Sequence, residues 1–294
     1  DIAGLSEEFN AKYGNEDMKD NYVYLLNEKD VEIIDSGKFN YTVHCVVKIL
    51  TNDGVGMFRD FSYSYNSYEY KAEVLRAGSY SPELEFKSIN PKNIVNIDKN
   101  SSSENSFYSN KKYVAFPFPD LQSGSLLEFK IKFSSTGKTL SPKSFDQYLF
   151  SSSVPVSTSR YKITYPDGLK PNIRVIGDEV QKSESKDGAK ATEIYEYFSP
   201  PVFNLAYESV SIYDVSPQIL VGFYDSWDEV SLWYNGIFEK AVNAKDGDLN
   251  DVILKELAIY ESDKLKTVEK IYKYVQKNIR YVALELGEGA MVPH

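Results

Sequence analysis

Cysteine is almost missing from this chain. Cys45 is the single one among 294 residues, which excludes an internal disulfide and a thiolate metal cluster. Histidine is nearly as scarce, with His44 and His294 alone, so a zinc site would have to recruit several carboxylates, an unusual ligand set. No apolar run approaches the roughly 20 residues that a membrane-spanning helix needs. The first residues show no basic-then-apolar secretory pattern. There is no Gly-rich phosphate loop, no Gly-x-Ser-x-Gly elbow and no basic aromatic stripe. Basic charge is also in deficit, with Lys+Arg 33 against Asp+Glu 43 and a net charge of −10. That balance disfavours nucleic acid and anionic membrane as partners, because phosphate recognition needs a basic face.

Aromatic residues are abundant, with 24 Tyr and 16 Phe, and they recur with a period of two. Leu127, Phe129, Ile131 and Phe133 alternate with Glu128, Lys130 and Lys132, the pattern of a strand with one buried face. Tyr161, Ile163 and Tyr165 repeat it and stop at Pro166-Asp167-Gly168, a turn in which Pro presets φ and Gly accepts φ > 0. Phe39 to Leu50 and Met57 to Tyr65 flank Asn52-Asp53-Gly54 and read as a hairpin. Further strands are expected at Tyr68 to Ala77, Lys112 to Phe116, Gln147 to Phe150, Asn172 to Ile176, Thr192 to Tyr197 and Tyr207 to Tyr213. The polar stretches Ser88 to Asn110 and Gln181 to Ala191 read as a surface loop and a hairpin tip.

The pattern changes near Asp225. Ser226 and Glu229 form a capping box, and Trp227, Val230, Trp233, Tyr234 and Phe238 follow at helical spacing. A second helix is expected near Asp248, carrying Val252, Ile253, Leu257 and Ile259. A third, from about Asp263 to Lys277, presents Leu265, Val268, Ile271, Tyr272 and Val275 as one apolar stripe. The expected fold is therefore mainly β with a C-terminal α segment: an antiparallel β-sandwich over residues 21–218, preceded by an N-terminal segment at 1–20 and followed by a small helical subdomain at 219–294.

Candidate chemistry was tested residue by residue. His44-Cys45 pairs the base and nucleophile of thiol hydrolases, yet the two are neighbours in an alternating run and point to opposite faces of a strand. Cys45 then becomes a small core hydrophobe and His44 a partly buried structural residue. Nothing in the sequence joins Cys45 to His294. Asp246-Gly247-Asp248-Leu249-Asn250-Asp251 resembles part of a calcium loop but lacks the spaced ligands and terminal Glu of an EF-hand; a helix entry capped by Asp248 explains it more simply. Trp227 and Trp233, six apart, build no flat platform on a helix and are expected to pack at the sandwich–helix junction. Phe116-Pro117-Phe118-Pro119-Asp120 reads as an exposed aromatic–proline turn. No catalytic, cofactor-binding or metal-ligating residue is assigned, and no cofactor is expected.

Two stretches resemble known families. Ser226-Trp227-Asp228-Glu229-Val230, Trp233-Tyr234, the helix ending in Asn278-Ile279-Arg280-Tyr281-Val282, then Glu285-Leu286-Gly287-Glu288-Gly289 and Val292-Pro293-His294, resemble the start of a bacterial transglutaminase-like domain. The upstream part, with His44-Cys45-Val46-Val47-Lys48-Ile49-Leu50, Asp53-Gly54, Phe116-Pro117-Phe118-Pro119, Gly124-Ser125-Leu126-Leu127-Glu128, Val154-Pro155-Val156 and Tyr165-Pro166-Asp167-Gly168, resembles the β-rich domain of unknown function that precedes such domains. The resemblance implies a papain-like Cys-His-Asp triad in residues that follow His294, and His294 itself corresponds to none of the three. It also implies export across the inner membrane and an extracytoplasmic location. The chain is accordingly expected to be the non-catalytic scaffold or substrate-presenting portion of a protein doing thiol acyl chemistry on amides, with the catalytic portion as its partner. The rival expectation is a free-standing module binding glycan or peptide on Tyr63, Tyr65, Tyr68, Tyr70 and Tyr80. A third treats residues 219–294 as an autonomous helical cap.

Overall fold

A computed structural model describes residues 2–13, 19–81, 84–97, 110–139, 141–204, 209–243, 255 and 263–279. The elements run α1 (Ile2–Tyr13), β1 (Tyr22–Asp35), β2 (Lys38–Ile49), α2 (Asn52–Arg59), β3 (Phe61–Asn66), β4 (Tyr70–Tyr80), β5 (Phe86–Ser88), β6 (Val95–Ile97), β7 (Lys111–Phe116), β8 (Leu126–Ser135), β9 (Phe145–Leu149), β10 (Val156–Pro166), β11 (Asn172–Ile176), β12 (Gln181–Asp187), β13 (Lys190–Phe198), α3 (Ile212–Val215), β14 (Gln218–Gly222), α4 (Trp227–Val242) and α5 (Lys264–Asn278). The chain divides into two compact units that part between Asp225 and Ser226.

The first unit is a β-sandwich. Its large layer is an eight-stranded sheet in the order β12-β13-β10-β1-β2-β8-β4-β5. All its pairings are antiparallel except that of β1 with β10, which is parallel. Two three-stranded sheets, β3-β7-β6 and β11-β14-β9, cover its inner face. The alternation in β8 produces this directly: Phe129, Ile131 and Phe133 point inward with Val43, Cys45 and Val47 of β2 and meet Val114 and Phe116 of β7 in one cluster. Val31, Ile33, Tyr161 and Ile163 meet Ile219 and Val221 of β14 in a second. On the outer face α1 lays Phe9 against Val23, Leu26, Val46 and Leu126, which is why Leu126 is buried although it alternates with the inner row, while Glu128 beside it is enclosed by His44, Arg76 and Tyr80.

Several expectations are corrected. Asn52-Asp53-Gly54 is not a hairpin turn but the first turn of α2. Thr51 caps that helix by accepting from Gly54 N at 3.1 Å, and Asp53 sits where the helix dipole favours an anion. β2 already has β1 and β8 on its two edges, so it leaves no edge for β3. Gly54 is required by close approach, since a Cβ there would collide with the carbonyl oxygen of Asn21. The stretch 181–191 is more than a tip: its arms are β12 and β13, turning at Gly188 with φ of 58°. The strand expected at Tyr207 to Tyr213 lies partly outside the described residues, and Ile212–Val215 is a helical turn. The polar stretch after Ser88 holds a 3-10 turn and β6. Phe116 and Phe118 are core residues, ringed by Phe58, Phe61 and Phe129, because burial of two aromatic rings outweighs any tendency of a Pro-rich turn to stay exposed.

In the second unit, Ser226 caps α4 by accepting from Glu229 N at 3.3 Å. Asp263 caps α5 by accepting from Leu265 N at 3.0 Å. The helix expected near Asp248, the acidic segment 246–251 and everything from Arg280 to His294 lie outside the described residues. Trp227 is 84 % exposed, which corrects its expected packing.

One charged pair lies between the layers. Lys29 faces inward from β1 and binds Asp146 of β9, which also accepts from Tyr161 Oη at 2.9 Å. Removing one partner strands the other charge in a poorly solvated place, at a cost of about 3–5 kcal/mol, whereas replacing both with apolar groups is often neutral. Urea unfolding is therefore expected to show Asp146→Ala destabilised by about that amount, and the double variant Lys29→Met/Asp146→Leu recovering most of it.

Candidate functional site

The most organised polar feature runs across the outer face of the large sheet. Strand register places Glu196, Arg160, Glu28, His44, Lys130 and Arg76 side by side on β13, β10, β1, β2, β8 and β4. Opposite charges at directly paired positions stabilise a sheet; here they alternate from Glu196 to His44, and Glu128 bridges the cationic side chains of His44 and Arg76. Arg160 donates from Nε to Glu196 at 2.7 Å and from Nη1 to Glu28 at 2.8 Å. His44 lies with Nδ1 3.8 Å from Glu28 and Nε2 2.8 Å from Glu128. Glu128 in turn accepts from Arg76 Nε at 2.7 Å and Tyr80 Oη at 2.6 Å, and Arg76 Nη2 donates to Tyr80 Oη at 3.0 Å.

The electrostatics follow from the geometry. Burial alone raises a carboxyl pKa, but the hydrogen bonds to His44 and Arg160 outweigh it at Glu28, and those to His44, Tyr80 and Arg76 outweigh it at Glu128. Both are pulled down to about 2. At His44 partial burial opposes the charged ring, and the hydrogen bonds to Glu128 and Glu28 overcome it, so the imidazolium persists above its usual range. Held ionised on both sides, this is an electrostatic clasp and not an acid–base pair poised to exchange a proton.

His44 and Cys45 do not meet in a dyad. His44 joins the outer row, while Cys45 is buried on the inner face with Phe129 and Val47, its thiol directed at Asn27 Oδ1 at 3.5 Å. Burial pushes the thiol pKa well above the usual range, which leaves it protonated and a poor nucleophile. Among the described residues no group of three or more His, Cys, Asp or Glu side chains could hold a metal ion. His294 lies outside the described residues. Of the tyrosines singled out from sequence, Tyr63 and Tyr65 pack against Phe133 with centroids 5.5 and 5.7 Å apart, Tyr70 packs edge-on to Tyr41 at 5.0 Å, and Tyr80 binds Glu128. The full clasp could not have been read from the sequence, because His44 and Glu128 are 84 residues apart, and Glu28 and Arg160 are 132 apart and become neighbours through one parallel pairing.

A sandwich of this layout, with a charged clasp across its outer face, is a β-rich domain. The family model for DUF3857, a domain of unknown function with solved structure, matches residues 35–197, more than half of the chain, and the chain belongs to that family. Among solved structures, a protein of Parabacteroides distasonis described as a "putative protease" matches with a TM-score of 0.68 at 13 % identity, over 88 % of this chain and 50 % of that one. The likeness shows a shared fold, and the chain spans about half the length of that relative. Native yeast LTA4 hydrolase matches at 10 % identity and a TM-score of 0.34, over 69 % of this chain and 29 % of that one, too distant to carry an argument. No curated protein matches the chain.

The clasp predicts a pH profile. Glu28 and Glu128, with depressed pKa values, contribute stability that is present above the unfolded value of 4.5 and is lost as pH falls toward about 2. His44, with a raised pKa, contributes stability that is full below 6.5 and is lost as pH rises through its folded value. Melting temperatures recorded across this range are expected to fall on the alkaline side of pH 6.5, and His44→Gln is expected to flatten that limb while leaving the acid limb in place.

Proposed function

We propose that this chain is a non-catalytic portion of a longer transglutaminase-like, protease-like protein, its β-sandwich serving to support the catalytic part or present substrate to it. The observation that carries the reading is the apolar stripe of α5. Leu265, Val268, Ile271 and Val275 are 81, 62, 41 and 42 % exposed, although they lie at the spacing of a helix built to be covered. On α4, Leu232, Phe238 and Val242 are also exposed. A self-sufficient helical cap would bury such residues; helices that open a larger domain would not. The likeness to a structure twice as long is consistent with this. The packing of Tyr63, Tyr65 and Tyr70 into the sandwich supports a scaffold over a tyrosine recognition platform.

In this reading the parent's Cys, His and Asp come from residues outside this chain and attack an amide through a thiolate. An extracytoplasmic location belongs to the same proposal and rests on the resemblance to exported transglutaminase-like proteins. Assays of this chain for peptide hydrolysis and for amine transfer are expected to give no turnover; activity dependent on Cys45 would overturn the proposal. Ile271→Ser combined with Val268→Ser is expected to lower the binding of a hydrophobic dye without shifting the melting of the sandwich. In the parent protein, hydrogen exchange at 264–278 is expected to slow relative to this chain, and equal exchange in both would remove the case for a covering domain.

A further inference from the structure

A cavity of about 430 Å³ opens at the β5 end of the large sheet, between the β4–β5 turn and the loop that leads into β8. Its size falls within the roughly 300–1,000 Å³ typical of small-molecule sites. The sequence builds it deliberately. Gly78 in β4 lets the Phe86 ring lie against the strand, since a Cβ there would stand 2.6 Å from the ring and collide with the carbonyl oxygen of Lys87. Arg76 covers Phe86 at 3.8 Å from its centroid, and the Tyr80 ring stands 4.8 Å from it, so the aromatic wall is fixed by the same residues that end the charge row. Three non-glycine residues have positive φ among the described residues; Asp120 at 48° lines this cavity, and Leu84 at 63° immediately precedes Glu85, which does. Leu in that region is costly. It is held by a closed turn in which Leu84 N donates to Ser81 O at 2.9 Å and Ser81 N donates to Glu85 O at 3.0 Å.

The polar groups of the cavity define what fits. Lys87 and Asp120 neutralise one another across the rim. The Glu85 carboxylate and the Gln122 carboxamide line the cavity with no side-chain partner among the described residues. A cationic ligand would meet one carboxylate beside a lysine–aspartate pair of no net charge, and an anionic ligand would find a lysine already engaged and Glu85 in its way. An apolar ligand would leave the hydrogen-bonding capacity of both groups unused. A hydroxyl group donates and accepts at once, so adjacent hydroxyls satisfy a carboxylate and a carboxamide together without requiring net charge.

We propose that the cavity formed by Tyr80, Glu85, Phe86, Lys87 and Gln122 binds a neutral saccharide unit, with Glu85 and Gln122 as its hydrogen-bonding pair. The site lies wholly in the sandwich, and its occupancy does not depend on the role given to the helices. Calorimetric titration of the 294-residue chain with cellohexaose, xylohexaose, maltohexaose and chitohexaose tests it. At least one is expected to bind, and Glu85→Ala and Gln122→Ala are each expected to weaken it about tenfold, while Glu184→Ala on β12 leaves it unchanged. Both residues are exposed, so the variants keep the wild-type melting temperature; if Glu85→Ala does not, Glu85→Gln, which keeps the shape and removes the charge, takes its place. Absence of binding at about 10 mM of every saccharide, undiminished binding in both variants, or displacement by spermine at lower concentration than any sugar would each overturn the proposal.

Discussion

β1 pairs antiparallel with β2 on one edge and parallel with β10 on the other, and the second pairing joins two halves that are otherwise wholly antiparallel. Each half carries its own small sheet and its own apolar cluster, one centred on Phe129 and Phe133, the other on Tyr161 and Ile219. Tyr41 and Tyr70 pack against both clusters. Lys29 stands on the joining strand and is fixed from the opposite layer by Asp146, so the seam is held on the inside by a charge pair and on the outside by the Arg160–Glu28–His44 chain. Parallel pairing between distant segments is entropically demanding, and the two faces of this seam offset that demand with directional contacts that no other register would satisfy.

The same seam explains the character of His44. Its residue type invites a catalytic reading, but its environment is symmetrical, with a carboxylate on either side, each carboxylate gripped in turn by an arginine. A general base must accept a proton from substrate; the carboxylates around this ring favour the form that already carries one. What the arrangement supplies is register. A slip of one residue in β2 would turn His44 inward and Cys45 outward, burying a charge among Phe129 and Val43 and exposing the thiol.

How much of this could be read from sequence depended on whether the determinant was local. The period-two runs of β8 and β10, the turn at Pro166-Asp167-Gly168, the bounds of β11, the cap at Ser226 and the start of α5 are all set within a few residues and were legible. So was the separation of His44 from Cys45, which needs only strand geometry. The misread hairpin at Asn52-Asp53-Gly54 contains a genuine turn triplet, but Thr51 before it and Val55 and Phe58 after it were the stronger, helical signal. Parallel pairing, the two covering sheets and the contact of His44 with Glu128 arise from segments far apart in the chain and leave no local trace. The cavity beside Phe86 is of the same kind: Gly78, Leu84 and Asp120 look unremarkable singly, and their meeting is a property of the folded sheet.

β12 ends the large sheet with every residue exposed, and its side chains include Lys182, Glu184, Lys186 and Asp187. An edge strand offers unpaired backbone groups to any other strand, and charge is the usual deterrent to such pairing. Because nothing in the core rests on β12, its turn at Gly188 is also the place where the molecule tolerates interruption. A fluorophore, an affinity handle or a whole inserted domain can be carried there without touching the seam that the fold depends on.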